Sequence, residues 1–192
     1  EQAKMSLQDM FAEDLFGDGT ADSGNAITGL GAMVEASGTY GNIAKGTYSW
    51  WQSYEENTAG ALNEDDMRIA FNSVSHNRTK PELIVTTQTL YQKYESLVVP
   101  AYRTEDRRIA DLGFDSLQFK GVPIIWDDYC TSGVMFFLNS EFMKLRVKSG
   151  EDFVWTEKRE PTNQLVFTML TSWIGNLTCN NCRHQGKLTA RT

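Results

Sequence analysis

Candidate chemistry in this sequence begins with carboxylates set among glycines. The stretch DLFGDGTADSGNAITGLGAMV, residues 14–34, holds five glycines and three aspartates. Glycine-rich backbone can cradle a phosphate on its N–H groups, and spaced aspartates can hold a divalent cation. The motif tests oppose both. In GDGTAD, Asp22 stands where a dinucleotide fingerprint needs its third glycine, no Gly-Lys-Ser/Thr follows, and neither the spacing nor the closing Glu of an EF-hand is present. The stretch is expected to turn the chain after a helix, with Gly17 or Gly19 at positive φ and no ligand between the aspartates. Asp127 and Asp128 follow the apolar run VPIIW and could act as metal ligands or as an acid and base. Neighbouring strand residues diverge, so a solvated turn is expected there. A divalent-metal-dependent enzyme using Asp18, Asp22, Asp127 and Asp128 is the main rival to the reading reached below.

Cys179 and Cys182 form a C-x-x-C with His184 close by, a pattern used for zinc or for redox pairs. His76 and Cys130 do not supply a second ligand pair by spacing. If residues 177–188 form one strand, positions three apart face opposite sides, and ordinary thiols are expected. The two histidines lie in no H-E-x-x-H, and no G-x-S-x-G occurs, which disfavours the usual hydrolases. Asn77-Arg78-Thr79 and Asn176-Leu177-Thr178 match the glycosylation sequon in a chain without secretory features.

The elements that must position these residues belong to a chain of 192 residues, long enough for a substantial core, with 41% apolar, 22% charged and 11% aromatic residues. A net charge of −7 argues against a basic nucleic-acid-gripping face, though from Pro161 onward there is no Asp or Glu. Three cysteines do not make a secreted disulfide framework and fit a reducing compartment, and no apolar stretch is long enough to span a bilayer. Met5, Leu7, Met10, Phe11, Leu15 and Phe16 recur at helical spacing up to the glycines. The segment SGTYGNIAKGTYSWWQSY has a turn-and-strand composition, and in a strand the adjacent Trp50 and Trp51 would point to opposite faces. Asn63 is the expected N-cap of a helix with Met67, Ala70, Phe71 and Val74 on its apolar face. ELIVTT reads as a buried strand and QTLYQKYESLVV as a helix stopping before Pro100. SLQF, VPIIW, VMFFL and FMKLRV read as sheet strands, followed by a β-rich last third.

Several segments, taken in order, resemble the major capsid proteins of tailed bacteriophages, the family with the Hong Kong 97-type fold. LFGDGTADSGNAITGL is similar to the turn where the family's spine helix gives way to the axial domain. PELIVTTQTLYQKY resembles the axial strand and helix, FKGVPIIWDD the later Gly-x-Pro strand, and NQLVFTMLTSWIGNLTC to RHQGKLT the returning strands of the peripheral domain. YGNIAKGTYSWWQSY is similar to a subgroup of prophage capsid proteins. The resemblance implies an α+β chain comprising the axial domain plus part of the peripheral domain. Residues 1–27 would be the spine-helix end and connecting turn, 28–148 the axial domain, and 149–192 the returning peripheral strands. The family's N-terminal arm, extended loop and most of its spine helix have no counterpart, which implies a subunit truncated at its N-terminus and a monomer or small oligomer in solution.

The resemblance further implies a non-enzymatic subunit, without cofactor or metal, that forms pentamers and hexamers of an icosahedral phage or prophage shell. Its partners would be its own copies, a scaffolding protein, a portal and nonspecifically held DNA, with no membrane. Its place would be the virion, assembled in the host bacterial cytoplasm. An encapsulin-like compartment shell is the nearest alternative, since one fold can serve both. Candidate intersubunit contacts are Trp50, Trp51, the loop 17–31, and Arg103, Glu105, Asp106, Arg107 and Arg108 of the charged loop. Some family members cross-link a Lys to an Asn with help from a carboxylate. Asn163 lies near that Asn, but the Lys-bearing loop is absent and MLTSWIGNLTC carries no Asp or Glu, so no cross-linking is expected.

Overall fold

The computed structural model describes residues 2–102, 117–160 and 166–192. Helix α1 (Gln2–Phe16) ends at the glycines as the sequence predicts. Gly17 N–H closes on Asp14 O at 3.0 Å, and Gly19 takes φ +85°, the left-handed region that favours glycine. A turn, α2 (Ala21–Gly24), and one helical turn, α3 (Leu30–Met33), bring the chain back over the end of α1. That return needs bare backbone: a Cβ on Gly29 would lie 2.3 Å from Leu15 O, and one on Gly31 would lie 2.8 Å from Gly17 O. A hairpin of β1 (Thr39–Tyr40) and β2 (Ile43–Ala44) follows, turning through Gly41 and Asn42 at positive φ.

Next come β3 (Tyr54–Glu56) and α4 (Glu64–Val74). The Asn63 side chain accepts the Asp66 N–H at 2.8 Å, and the buried face is Met67, Ala70, Phe71 and Val74, as expected. Strand β4 (Leu83–Thr86) leads into α5 (Gln88–Tyr102). This helix runs through Pro100 instead of stopping before it. Pro100 has no N–H, so it costs the one backbone bond that residue would donate within the helix.

Strands β5 (Gln118–Phe119), β6 (Val122–Trp126), β7 (Met135–Leu138) and β8 (Met143–Val147) match the four apolar runs. The last third supplies β9 (Val154–Trp155), β10 (Thr171–Ser172), β11 (Gly175–Cys179) and β12 (Gly186–Leu188). Six strands form the central sheet in the order β3-β12-β7-β4-β6-β5. Parallel β4 and β6 flank the α5 crossover, which is a βαβ unit. Residues 149–192 do not stay together: β9 to β11 lie outside this sheet, whereas β12 enters it between β3 and β7.

The alternation of β7 explains why the sheet is covered on both faces. Met135 and Phe137 join Met67, Phe71, Leu90 and Ile124 in the core under α4 and α5. Phe136 and Leu138 join Phe16, Leu30, Met33 and Trp51 in the opposite core. All four β7 side chains are buried, the pattern of a strand between two layers.

Candidate self-association surface

Outside the sheet, β8 pairs antiparallel with β11 from Val147↔Gly175 to Met143↔Cys179. The chain then continues into a second ribbon in which β9 pairs with β10 and a bridge joins Arg159 to Thr168. A two-stranded ribbon has two faces, and one helix can cover only part of them. α1 does so by packing Phe11 edge-on against Trp173, with ring centroids 4.9 Å apart, while Phe153 lies 6.1 Å from both rings. Two open grooves of about 410 and 570 Å³ remain along this seam, lined by Leu7, Met10, Phe153, Trp155 and Ile174 among others.

The rest of the ribbon surface is uncovered, and large apolar side chains stand exposed among its charges. Leu145, Val147, Val154, Val166, Met169 and Leu170 are exposed, and Phe167 is 64% exposed beneath the Lys158 ammonium at 5.6 Å. Isolated exposed apolar residues are ordinary, but a run of this length on one arm is the signature of a surface that another polypeptide covers. Sequence reasoning did not single out these side chains. Their signal was the density of Val, Phe, Met, Leu, Trp and Ile in the uncharged stretch of residues 166–174.

The sequence-predicted sites fall elsewhere. Trp50 and Trp51 sit in a 3-10 turn, Ser49–Trp51, instead of a strand, and their rings meet edge-on with centroids 5.8 Å apart instead of pointing to opposite faces. Trp51 is 7% exposed and donates Nε1–H to Tyr40 O at 3.2 Å, whereas Trp50 is 55% exposed. Trp50 is therefore the member of the pair free to meet a partner. Arg103, Glu105, Asp106, Arg107, Arg108 and Asn163 lie outside the described residues. Glu151 accepts the Ser172 hydroxyl at 2.8 Å.

The structure does not gather the four aspartates of the metal-enzyme reading. Asp18 accepts the Thr20 hydroxyl and N–H at 2.7 and 2.9 Å, and these bonds hold its carboxyl below the usual range. Asp127 accepts the Tyr129 N–H at 2.9 Å, a turn contact. Among the described residues no three His, Cys, Asp or Glu side chains are grouped to hold a metal ion.

Both histidines share one polar hollow with Trp50, Asn77, Asn181 and Arg183. Arg183 Nε–H donates to His76 Nε2 at 3.2 Å, and His184 stacks on Phe142 with centroids 4.5 Å apart. Burial first, and then the Arg183 charge, push both imidazoles below their ordinary pKa. Asn77 and Arg78 form a tight left-handed turn between His76 and Thr79, and the Asn176 carboxamide is engaged with Thr28. The two sequons are thus turn and tie residues in this fold.

Neither a protein-family model nor a curated protein sequence matches the chain. Among solved structures it is similar to the cyanophage A-1(L) capsid asymmetric unit, with a TM-score of 0.72 at 17% identity, covering 100% of this chain and 70% of that one. It is also similar to the holo-SrpI encapsulin complex from Synechococcus elongatus PCC 7942, with a TM-score of 0.62 at 14% identity, covering 99% of this chain and 64% of that one. Identities this low speak for architecture: the chain has the α+β Hong Kong 97-type fold of phage capsid proteins.

Proposed function

We propose that this chain is a shell subunit, the major capsid protein of a phage or prophage, whose copies form pentamers and hexamers of an icosahedral shell around DNA. One observation carries this reading: a two-ribbon arm with large apolar side chains exposed lies on a chain whose fold is shared with shell-forming proteins. Each contact made by such an arm is modest, but closed symmetry repeats it many times and turns weak pairs into a stable shell. The role is structural, not catalytic. Trp50, with the charged loop that carries Arg103, Glu105, Asp106, Arg107 and Arg108, adds polar contacts between subunits. A scaffolding protein and a portal complete the partners, and assembly in the bacterial cytoplasm precedes residence in the virion. The net charge of −7 suits a wall that touches its genome nonspecifically and without tight grip.

The likeness to the encapsulin complex favours a second reading, a compartment shell enclosing protein cargo. Electron microscopy of the complete gene product, expressed with any neighbouring scaffold gene, tests the class: shells or capsomers are expected, and their absence overturns it. The contents separate the two readings. Nucleic acid inside supports a capsid, and protein cargo supports a compartment.

A further inference from the structure

The C-x-x-C is not laid out as the sequence suggests. β11 ends at Cys179, the chain turns through Asn180 and Asn181, and a 3-10 turn starting at Cys182 leads back into β12. The strand is broken between the two cysteines, and both side chains enter the same core. Their surroundings differ. Cys182 is fully buried, whereas Cys179 lines an open pocket of about 280 Å³ with Thr28, Tyr40, Gly41 and Asn176, and no acidic residue lines it.

The groups around the sulfurs favour a thiolate at Cys179. The neighbouring Cys182 thiol foremost, then the Asn181 backbone, the Lys45 charge and the Gln185 side chain, favour its charged form. Lys45, 1% exposed, donates to Ala32 O and Met33 O at 3.0 and 2.6 Å, which leaves its third N–H, and its charge acts on both thiols. Together they hold Cys179 below the ordinary thiol range, while the neighbouring sulfur first, and then burial, push Cys182 above it. Cys130, by contrast, is buried beside Asp127 and is raised to about 12, an inert thiol.

We propose that Cys179 and Cys182 are a thiol–disulfide exchange pair that reacts with a small disulfide such as glutathione disulfide, Cys179 attacking through the pocket and Cys182 resolving. The Cys179 thiolate bonds to one sulfur of glutathione disulfide and expels a glutathione thiolate. Cys182 then loses its proton and displaces the second glutathione from Cys179. Two protein thiols lose two electrons, and two molecules of glutathione carry away the electrons and the two protons. The bond formed ties the end of β11 to the turn entering β12, the joint between the exposed ribbon and the central sheet.

The test is incubation of the folded wild-type chain with glutathione disulfide, then denaturation in iodoacetamide and mass spectrometry. The expected product has lost two hydrogens and takes up one alkyl group, on Cys130, where the reduced protein with its three free cysteines takes up three. Cys182→Ser is expected to retain one glutathione on Cys179, and Cys179→Ser to retain none, because Cys182 has no access to solvent. Retention of all three thiols by the wild type, or reaction of Cys130 at the same rate as Cys179, overturns the proposal. Should either variant not fold, the disulfide-bearing wild-type peptide spanning residues 179–182 decides it.

Discussion

At the level of single residues, the strength of an ion pair here depends on how much water it has lost. Arg191 reaches Asp66 at 2.7 Å with its own side chain 4% exposed, whereas Arg68 meets Asp65 at 2.6 Å with both partners largely in solvent. Removing one partner of an enclosed pair leaves an uncompensated charge, while exposed pairs contribute little. Asp66→Asn is expected to lower stability by about 2 kcal/mol or more, and Asp65→Asn by under about 1 kcal/mol, in urea unfolding. The histidines give the pH dependence its sign. Their pKa values lie below 6.5 in the folded protein, so the unfolded chain binds protons more tightly between those values and 6.5. Stability is expected to fall as pH drops through this window, and His184→Gln, which removes one of the two titrating imidazoles, is expected to flatten the slope. An unchanged slope would show that other groups dominate acid sensitivity.

At the level of elements, ends and joints carry more of the specification than interiors. The capped start of α4 is legible because one carboxamide satisfies an otherwise unpaired N–H, and Asn63→Ala is expected to cost about 1 kcal/mol. The glycine-rich joint after α1 is a closer fit. Gly31 N–H donates to Gly17 O at 3.0 Å, and Gly29 lies against the last carbonyls of α1. Gly29→Ala is expected to destabilise by about 1–3 kcal/mol through forced backbone movement. Gly46→Ala, where an added Cβ meets nothing within 4 Å, is expected to be near neutral. Lys45 illustrates what composition hides. It reads as a polar turn residue, yet it caps α3 by donating to the Ala32 and Met33 carbonyls inside the core.

At the level of the whole molecule, the described structure leaves its ribbons unfinished while the sheet is sealed on both faces. No helix in the described structure is long and apolar enough to cross a membrane. The proposed contact between subunits would cover the exposed apolar side chains of the arm. Phe167→Glu combined with Leu170→Glu is expected to leave the unfolding midpoint within about 0.5 kcal/mol of wild type, since both side chains are exposed. The same pair is expected to abolish concentration-dependent association in sedimentation velocity. Association unaffected by the pair would place the contact surface elsewhere on the chain.

Periodic signals survived from sequence to structure because they are local. Met67, Ala70, Phe71 and Val74 had to share a helix face, VPIIW and VMFFL had to be strands, and Gly19 had to relieve a left-handed turn, whatever lay around them. The order of those segments carried the resemblance that anticipated the fold. Contacts distant in sequence decided the rest. Only the insertion of β12 between β3 and β7 draws the C-terminal stretch into the central sheet, and only the break after Cys179 brings both thiols into one core. Spacing along a chain fixes which side of an element a residue occupies. What covers that side is set by which distant strand hydrogen-bonds beside it, and that depends on the energy of the whole fold.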